Sequence, residues 1–278
     1  MKITVLVDNH SLSPTTRPEN GLSLFLDAGD ICILFDTGRR NLIENAHQLD
    51  IDLTRVTHII LSHGHHDHTS GLPHLLGFYK SRHISPFPVI ICHPDAFDRR
   101  GFYFRLLFRS ICLRSLNSPM TKNDVLENFP TIFSKEPIWI NPQFVFLGEI
   151  PRNPQVDEEC VVGTIQKNEM SIKDRILDDS ALVYKSSEGI IILSGCAHSG
   201  ICNIVEYAKK ICADERVLDI LGGFHLKYAS RARLDHVKNY LSQLHLKSIH
   251  ACHCTGKGRN ALPNQQNIGI GTSLTYPE

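Results

Sequence analysis

From residue 63 to residue 68 the chain reads His-Gly-His-His-Asp-His, so four of six consecutive residues are histidine. Neutral imidazole is a good ligand for zinc, iron and manganese, and a carboxylate adds a harder oxygen donor. The apolar, β-branched run Val56 to Leu61 stands directly before the cluster and reads as a buried strand. At the end of such a strand His63 and His65 point the same way. Asp67 and His68 can turn into an adjoining position. Two closely spaced ions sharing a bridging water then become possible. A solvated His-rich loop is the bland alternative. The strand before the cluster and the helix start at Thr69-Ser70-Gly71 argue against it.

Three more histidines follow short apolar runs that read as strands: His198 after Ile190 to Leu193, His225 after Leu218 to Leu221, and His253 after Ser248 to Cys252. Ligands at several strand ends can converge on one sheet edge, so His198 and His253 are expected to complete the metal set. His225 is placed near the site, facing substrate, with Asp67 as its catalytic companion. A structural zinc held by Cys196, Cys252 and Cys254 is the rival idea. No Cys-x-x-Cys pair supports it, and inert buried cysteine is the better reading.

Elements of both kinds must position these residues. Strands are expected at Ile3 to Val7, Leu22 to Leu26, Ile31 to Phe35, Val89 to Cys92, Phe144 to Leu147 and Ala181 to Lys185. Helices are expected from Asn41 to Leu49, Gly71 to Tyr79, Ile201 to Cys212 and Arg231 to Leu244. Strands and helices mix in both halves, which suggests two αβ halves packed sheet to sheet. The stretch from about residue 95 to 137 is less regular. It interleaves Phe102, Tyr103, Phe104, Leu106, Leu107 and Phe108 with Arg99, Arg100, Arg105, Arg109 and Arg114. It reads as an inserted, partly helical lid, either covering a flat substrate or packing as a helix with a basic outer face.

The 278 residues are 42% hydrophobic and 21% charged, ordinary for a globular chain with a sizeable core. Lys plus Arg equals Asp plus Glu, 29 each, so no global charge points to nucleic acid. The start, MKITVLVDNH, does not read as a secretory signal, and no apolar stretch approaches a membrane span. Nine unpatterned cysteines fit a reducing compartment, so a cytoplasmic location is expected. An oligomer is left open.

The spacing His-x-His-x-Asp-His resembles the signature of the metallo-β-lactamase superfamily. More narrowly, the segments Glu19 to Ser23, Ile33 to Gly38, His93 to Phe97, Gly148 to Arg152, Asp178 to Leu182, Gly195 to Gly200, Gly222 to Leu226 and His253 to Gly256 resemble one subgroup. That subgroup contains the archaeal 7,8-dihydropterin-6-methyl-4-(β-D-ribofuranosyl)aminobenzene 5′-phosphate synthase. The resemblance runs through nearly the whole chain and is weakest between about Arg99 and Phe133. It implies an α/β chain folded as the αββα four-layer sandwich, one domain over residues 1–278, with His63 and His65 on one ion and Asp67 and His68 on the other. Two divalent ions are implied, zinc first, with manganese or iron as alternatives. The chain departs from the wider pattern in two places. The usual His-x-x-Gly-His segment is missing, with Asp178-Asp179 standing roughly there, and Gly195-Cys196 replaces a Gly-Asp that carries a bridging carboxylate. His198, Asp179 and Cys196 are thus the alternatives for completing the ligand set.

Such ions would activate water or polarise a phosphoryl or carbonyl oxygen. Hydrolysis of a phosphate ester, lactone or thioester is the generic expectation. The narrower resemblance implies loss of pyrophosphate from a pterin diphosphate and its joining to an arylamine phosphate. Either way the partner is a small molecule, phosphorylated or acyl, with Arg152, Asp179 and His225 as its expected contacts. A non-catalytic sensor that keeps the fold is the competing class.

Overall fold

The computed structural model describes residues 1–106, 109–167 and 170–278, with side chains outside 104–110. A first sheet runs in the order Ser273–Thr275, Lys2–Val7, Ser23–Ala28, Ile31–Phe35, His58–Ile60, Val89–Cys92, Thr131–Phe133. A second runs Ser248–Cys252, Val217–Gly223, Gly189–Ser194, Ala181–Ser186, Phe144–Phe146, Ile138–Trp139. In each, the strands that carry site residues are mutually parallel. Parallel strands are covered on both faces, hence runs such as Ile190 to Leu193 with every side chain buried.

Three apolar clusters define four layers. Between the sheets, Ile3, Val5, Leu24, Leu26, Ile33 and Phe35 meet Phe144, Phe146, Leu182, Tyr184, Ile191 and Leu193. On the outer face of the first sheet, Leu34, Ile59 and Ile90 pack on the helices Leu42–Gln48 and Leu72–Ser81. On the outer face of the second, Val183, Ile192 and Ile220 pack on Ile201–Cys212 and Arg231–Gln243. The odd and even residues of each strand face different layers, as the period of two requires. This is the αββα sandwich.

The segment expected to be a partly helical lid is mainly β. Arg100–Leu106 and Arg109–Ser115 pair antiparallel, and Thr164–Lys167 with Met170–Lys173 extends them to a small third sheet. Leu107 and Phe108 lie outside the described residues. Phe102, Tyr103 and Ile111 favour strands; Arg100 is buried at the start of its strand, while Phe102, two residues on, stays 41% exposed. The helical part is confined to Lys122–Asn128, closed by a capping box of Thr121 and Asp124. Thr131–Phe133 then rejoins the first sheet.

The two sheets meet closely at Gly195. A Cβ there would lie 1.9 Å from Ser62 Oγ and 3.0 Å from Asp36 Oδ2. Gly195→Ala should therefore cost about 3 kcal/mol through overpacking and a displaced Ser62. An unchanged urea midpoint would show that the sheets have slack there.

Candidate metal centre

The centre lies where strand ends of both sheets face each other. From the first sheet, the chain leaves Ile60 and presents His63 and His65, then turns through the short helix His66–Thr69, which carries Asp67 and His68. Gly64 lets this loop lie flat, since a Cβ on it would stand 1.8 Å from the Ala96 carbonyl oxygen. From the second sheet come His198, after Gly189–Ser194, and His253, after Ser248–Cys252. The ligand atoms of His63, His65 and His198 lie within 4.8 Å of one another, as do those of Asp67, His68 and His253. The Cys196 sulfur forms a third such group with His63 and His68, so it stands between the two triads. All seven residues are at least nine-tenths buried except Asp67, which is partly exposed.

Does this set fit metal? The ring nitrogens His65 Nε2, both of His198 and His253 Nε2 are buried and have no hydrogen-bond partner. Buried polar atoms are ordinarily paired, so unpaired nitrogens converging on one place have the character of ligands. Burial, followed by neighbouring charge, pushes His63 and His198 well below the usual imidazole range, and burial with Arg100 nearby takes His65 down to about 3. These rings are neutral at pH 7, the form that binds metal. The residues fit bound metal.

Carboxylates hold the ligands from behind. His68 Nδ1 lies 2.6 Å from Asp36 Oδ2. Burial would lower His68, but the Asp36 carboxylate outweighs it and raises it to about 9. Asp36 also accepts from the Ser62 backbone N–H and hydroxyl, both at 2.7 Å. Asp178 accepts from the Gly64 N–H at 2.7 Å and from buried Arg100 at 2.8 Å. Asn20 donates to Asp67 Oδ2 at 2.9 Å, Asp8 accepts the His253 N–H at 2.9 Å, and Asn9 Oδ1 lies 2.8 Å from His253 Nδ1. The sequence reading missed Asp8 and Asn9 as supports of the site, and quoted Asn20, Asp36 and Asp178 only within motifs. A carboxylate standing directly beside or before a strand-end motif was the available signal for Asp36 and Asp178.

Two expected substrate contacts lie elsewhere. Arg152 spends its guanidinium on the carbonyls of Arg175 and Ile176, at 3.2 and 2.5 Å, and on Glu159 at 3.2 Å. It does not line the cleft, because loop carbonyls have claimed its donors. Asp179 is fully buried and accepts from the Ser199 N–H and hydroxyl, at 2.9 and 2.6 Å, so it holds the loop of His198. His225 does line the cleft, its ring 4.4 Å from that of His198. The cleft over the centre encloses about 880 Å³.

The sandwich and the site define the class: the chain belongs to the metallo-β-lactamase superfamily, whose sequence profile matches residues 16–150. It is 30% identical to the 7,8-dihydropterin-6-methyl-4-(beta-D-ribofuranosyl)-aminobenzene-5′-phosphate synthase of Methanocaldococcus jannaschii over 81% of this chain and 75% of that one. The uncharacterized protein MJ0448 of the same organism is 29% identical over 97% of this chain and 96% of its own. Among solved structures, Tm1679, described as a metal-dependent hydrolase of the beta-lactamase superfamily, superposes with a TM-score of 0.82 at 26% identity over the full length of both.

Asp36→Asn should weaken metal binding about 10–100-fold, as loss of such a supporting carboxylate does elsewhere. Competition with a chromophoric chelator measures it, and an unchanged affinity would mean that Asp36 serves the fold alone. Asp178→Asn should cost roughly 3 kcal/mol, because Arg100 would keep only Asp174, 3.6 Å away, as counter-charge. Burial would raise the Asp178 carboxyl, but Arg100 and the Gly64 N–H hold it below the usual range. A depressed folded value makes this stabilisation complete above about pH 4 and lost as pH falls further. The gap between parent and variant in urea melts should close there.

Proposed function

We propose that the chain is a metal-dependent enzyme acting on a small phosphorylated substrate, in its most specific form a synthase like the methanogen relative, joining a pterin to an arylamine ribosyl phosphate. One juxtaposition carries this reading. Above the metal ligands the cleft is lined by Arg114, Lys227, Lys257 and Arg259, and none of the four forms an ion pair among the described residues. The acids that also line it, Asp8 and Asp67, are committed to His253 and to the metal set. Unpaired cations around a partly apolar cleft attract phosphate, and arginine can grip it with two donors at once. Phe102 and Tyr228, 41% and 87% exposed, line the same cleft and offer flat faces for a heteroaromatic ring.

His63, His65 and His198 would hold one divalent ion and Asp67, His68 and His253 the other, zinc being the first choice for this imidazole-rich set. Bound there, such ions supply Lewis acidity and a water of lowered pKa. Burial would raise the Asp67 carboxyl, but the His66 ring, 3.5 Å away, and the other imidazoles around it hold it well below the usual range. His225 faces the cleft beside His198 and can pass a proton to a leaving oxygen or nitrogen. All nine cysteines are free, which supports a reducing, cytoplasmic location. No described helix is long and apolar enough to cross a membrane.

The test begins with metal content on protein purified without added metal or a histidine tag. At least two equivalents are expected in the parent, and the His63→Ala/His68→Ala double variant should lose the two held by the histidine–aspartate centre. The parent should then turn over phosphoesters or release pyrophosphate from a pterin diphosphate supplied with the arylamine. Lys257→Ala/Arg259→Ala should raise KM at least about 10-fold with little change in kcat, since each charge-assisted hydrogen bond contributes about 1.5–3 kcal/mol. A parent that fails to take up metal, or one that prefers uncharged lactones and ignores the loss of both cations, would overturn the reading.

A further inference from the structure

The second sheet delivers a further set of donors to the same cleft. Its three parallel strands Gly189–Ser194, Val217–Gly223 and Ser248–Cys252 end side by side, with Ser194 beside Gly222 and Gly223 beside Cys252. Two residues past each end stands a soft or borderline ligand: Cys196, His225 and Cys254. Left-handed backbone at Ala197, His225 and His253 turns the chain sharply at each of these exits. Gly223 leaves room for the Cys254 sulfur, which would come within 2.7 Å of a Cβ at that position. As a result one ligand atom from each of Cys196, His225 and Cys254 lies within 4.8 Å of the others, and all three residues line the cleft. His225 Nδ1 is buried there without a partner. The Cys254 sulfur accepts the His225 backbone N–H at 3.3 Å. Cys252, by contrast, points into the core between the sheets.

We propose that Cys196, His225 and Cys254 form a separate thiolate-rich cation site beside the histidine–aspartate centre, taking a thiophilic divalent ion such as zinc or cadmium. Two thiolates and an imidazole form a set that zinc accepts, and three protein ligands leave a fourth position open to the cleft. Softness separates it from its neighbour: sulfur donors select zinc and its heavier analogues, whereas the carboxylate-bearing triad also tolerates harder ions. Cys196 lies between the two sites, since its sulfur is also within reach of His63 and His68. The site does not depend on the reaction proposed above; an ion bound in it would make His225 a ligand in place of a proton donor.

Cadmium reads it directly, because a cadmium–thiolate bond absorbs in the ultraviolet whereas cadmium on imidazole and carboxylate does not. The full-length His63→Ala/His68→Ala variant, kept reduced, should bind one equivalent of cadmium with that absorption. Adding Cys254→Ser, or separately His225→Ala, should abolish both. In the otherwise native protein, Cys254→Ser should lower zinc content by one equivalent and remove the thiolate-to-cobalt charge-transfer band of the cobalt-loaded form. That second comparison decides the matter if the double variant does not fold. Cadmium absorption absent from the reduced protein, or surviving loss of Cys254, would overturn the proposal.

Discussion

A single buried carboxylate ties the metal centre to the fold. Asp36 sits fully buried at the end of Ile31–Phe35, in left-handed backbone, and meets three donors: the Ser62 N–H, the Ser62 hydroxyl and the His68 ring. An ionised carboxylate without partners would be prohibitively costly there. Satisfying it requires the end of the neighbouring strand and the short helix His66–Thr69 to stand where they do. His63 and His68 are then fixed before any ion arrives, because Ser62 Oγ also lies 2.9 Å from His63 Nδ1. Gly195 completes the arrangement by letting the second sheet approach the same group. The ligand geometry thus follows from polar satisfaction inside the protein.

The same logic repeats at lower stakes around the cleft. Asp178 serves Gly64, Asp179 serves Ser199 and Asp8 serves the backbone of His253. Each acid sits beside a ligand-bearing loop and accepts its N–H groups. Irregular backbone, which parallel strands cannot satisfy by pairing, is thereby paired by side chains. The strand ends alone give the ligands their neighbourhood, and these carboxylates set their direction.

The difference between legible and illegible features follows from that division. Strand runs such as Val89 to Cys92 are local patterns and read correctly from spacing, and the same kind of local spacing singles out His63, His65, Asp67 and His68 as candidates. The hairpin Thr164–Lys167 with Met170–Lys173 did not, because its exposed Ser, Lys and Met carry no clear alternation. Arg152 and Asp179 were chosen for chemical type within resembling motifs, and only the folded chain shows that nearby backbone claims them. The grouping of Cys196, His225 and Cys254 defeats any search for paired cysteines, since 29 residues separate His225 from Cys254 and 58 separate Cys196 from Cys254. Such spacing is the length of a βα unit, so the sheet alone brings the three together.

Selectivity must therefore be sought above the floor of the cleft. A floor of histidines and an aspartate is common chemistry for hydrolysis and for group transfer alike, since both need charge stabilised on an oxygen. The relatives make the same point: one similar chain is named a synthase, another at nearly equal identity is uncharacterized, and a third of the same shape is described as a hydrolase. What distinguishes outcomes is the wall. Phe102 and Arg114 come from the third sheet, Tyr228 from the loop after Val217–Gly223, and Lys257 and Arg259 from the 3₁₀ helix His253–Ala261. These elements stand outside the three packed clusters, so they can change without disturbing Asp36 or the residues it holds. On the proposed reading, a fold built this way would keep its metal chemistry fixed by buried acids and leave substrate choice to residues that bear little of the stability.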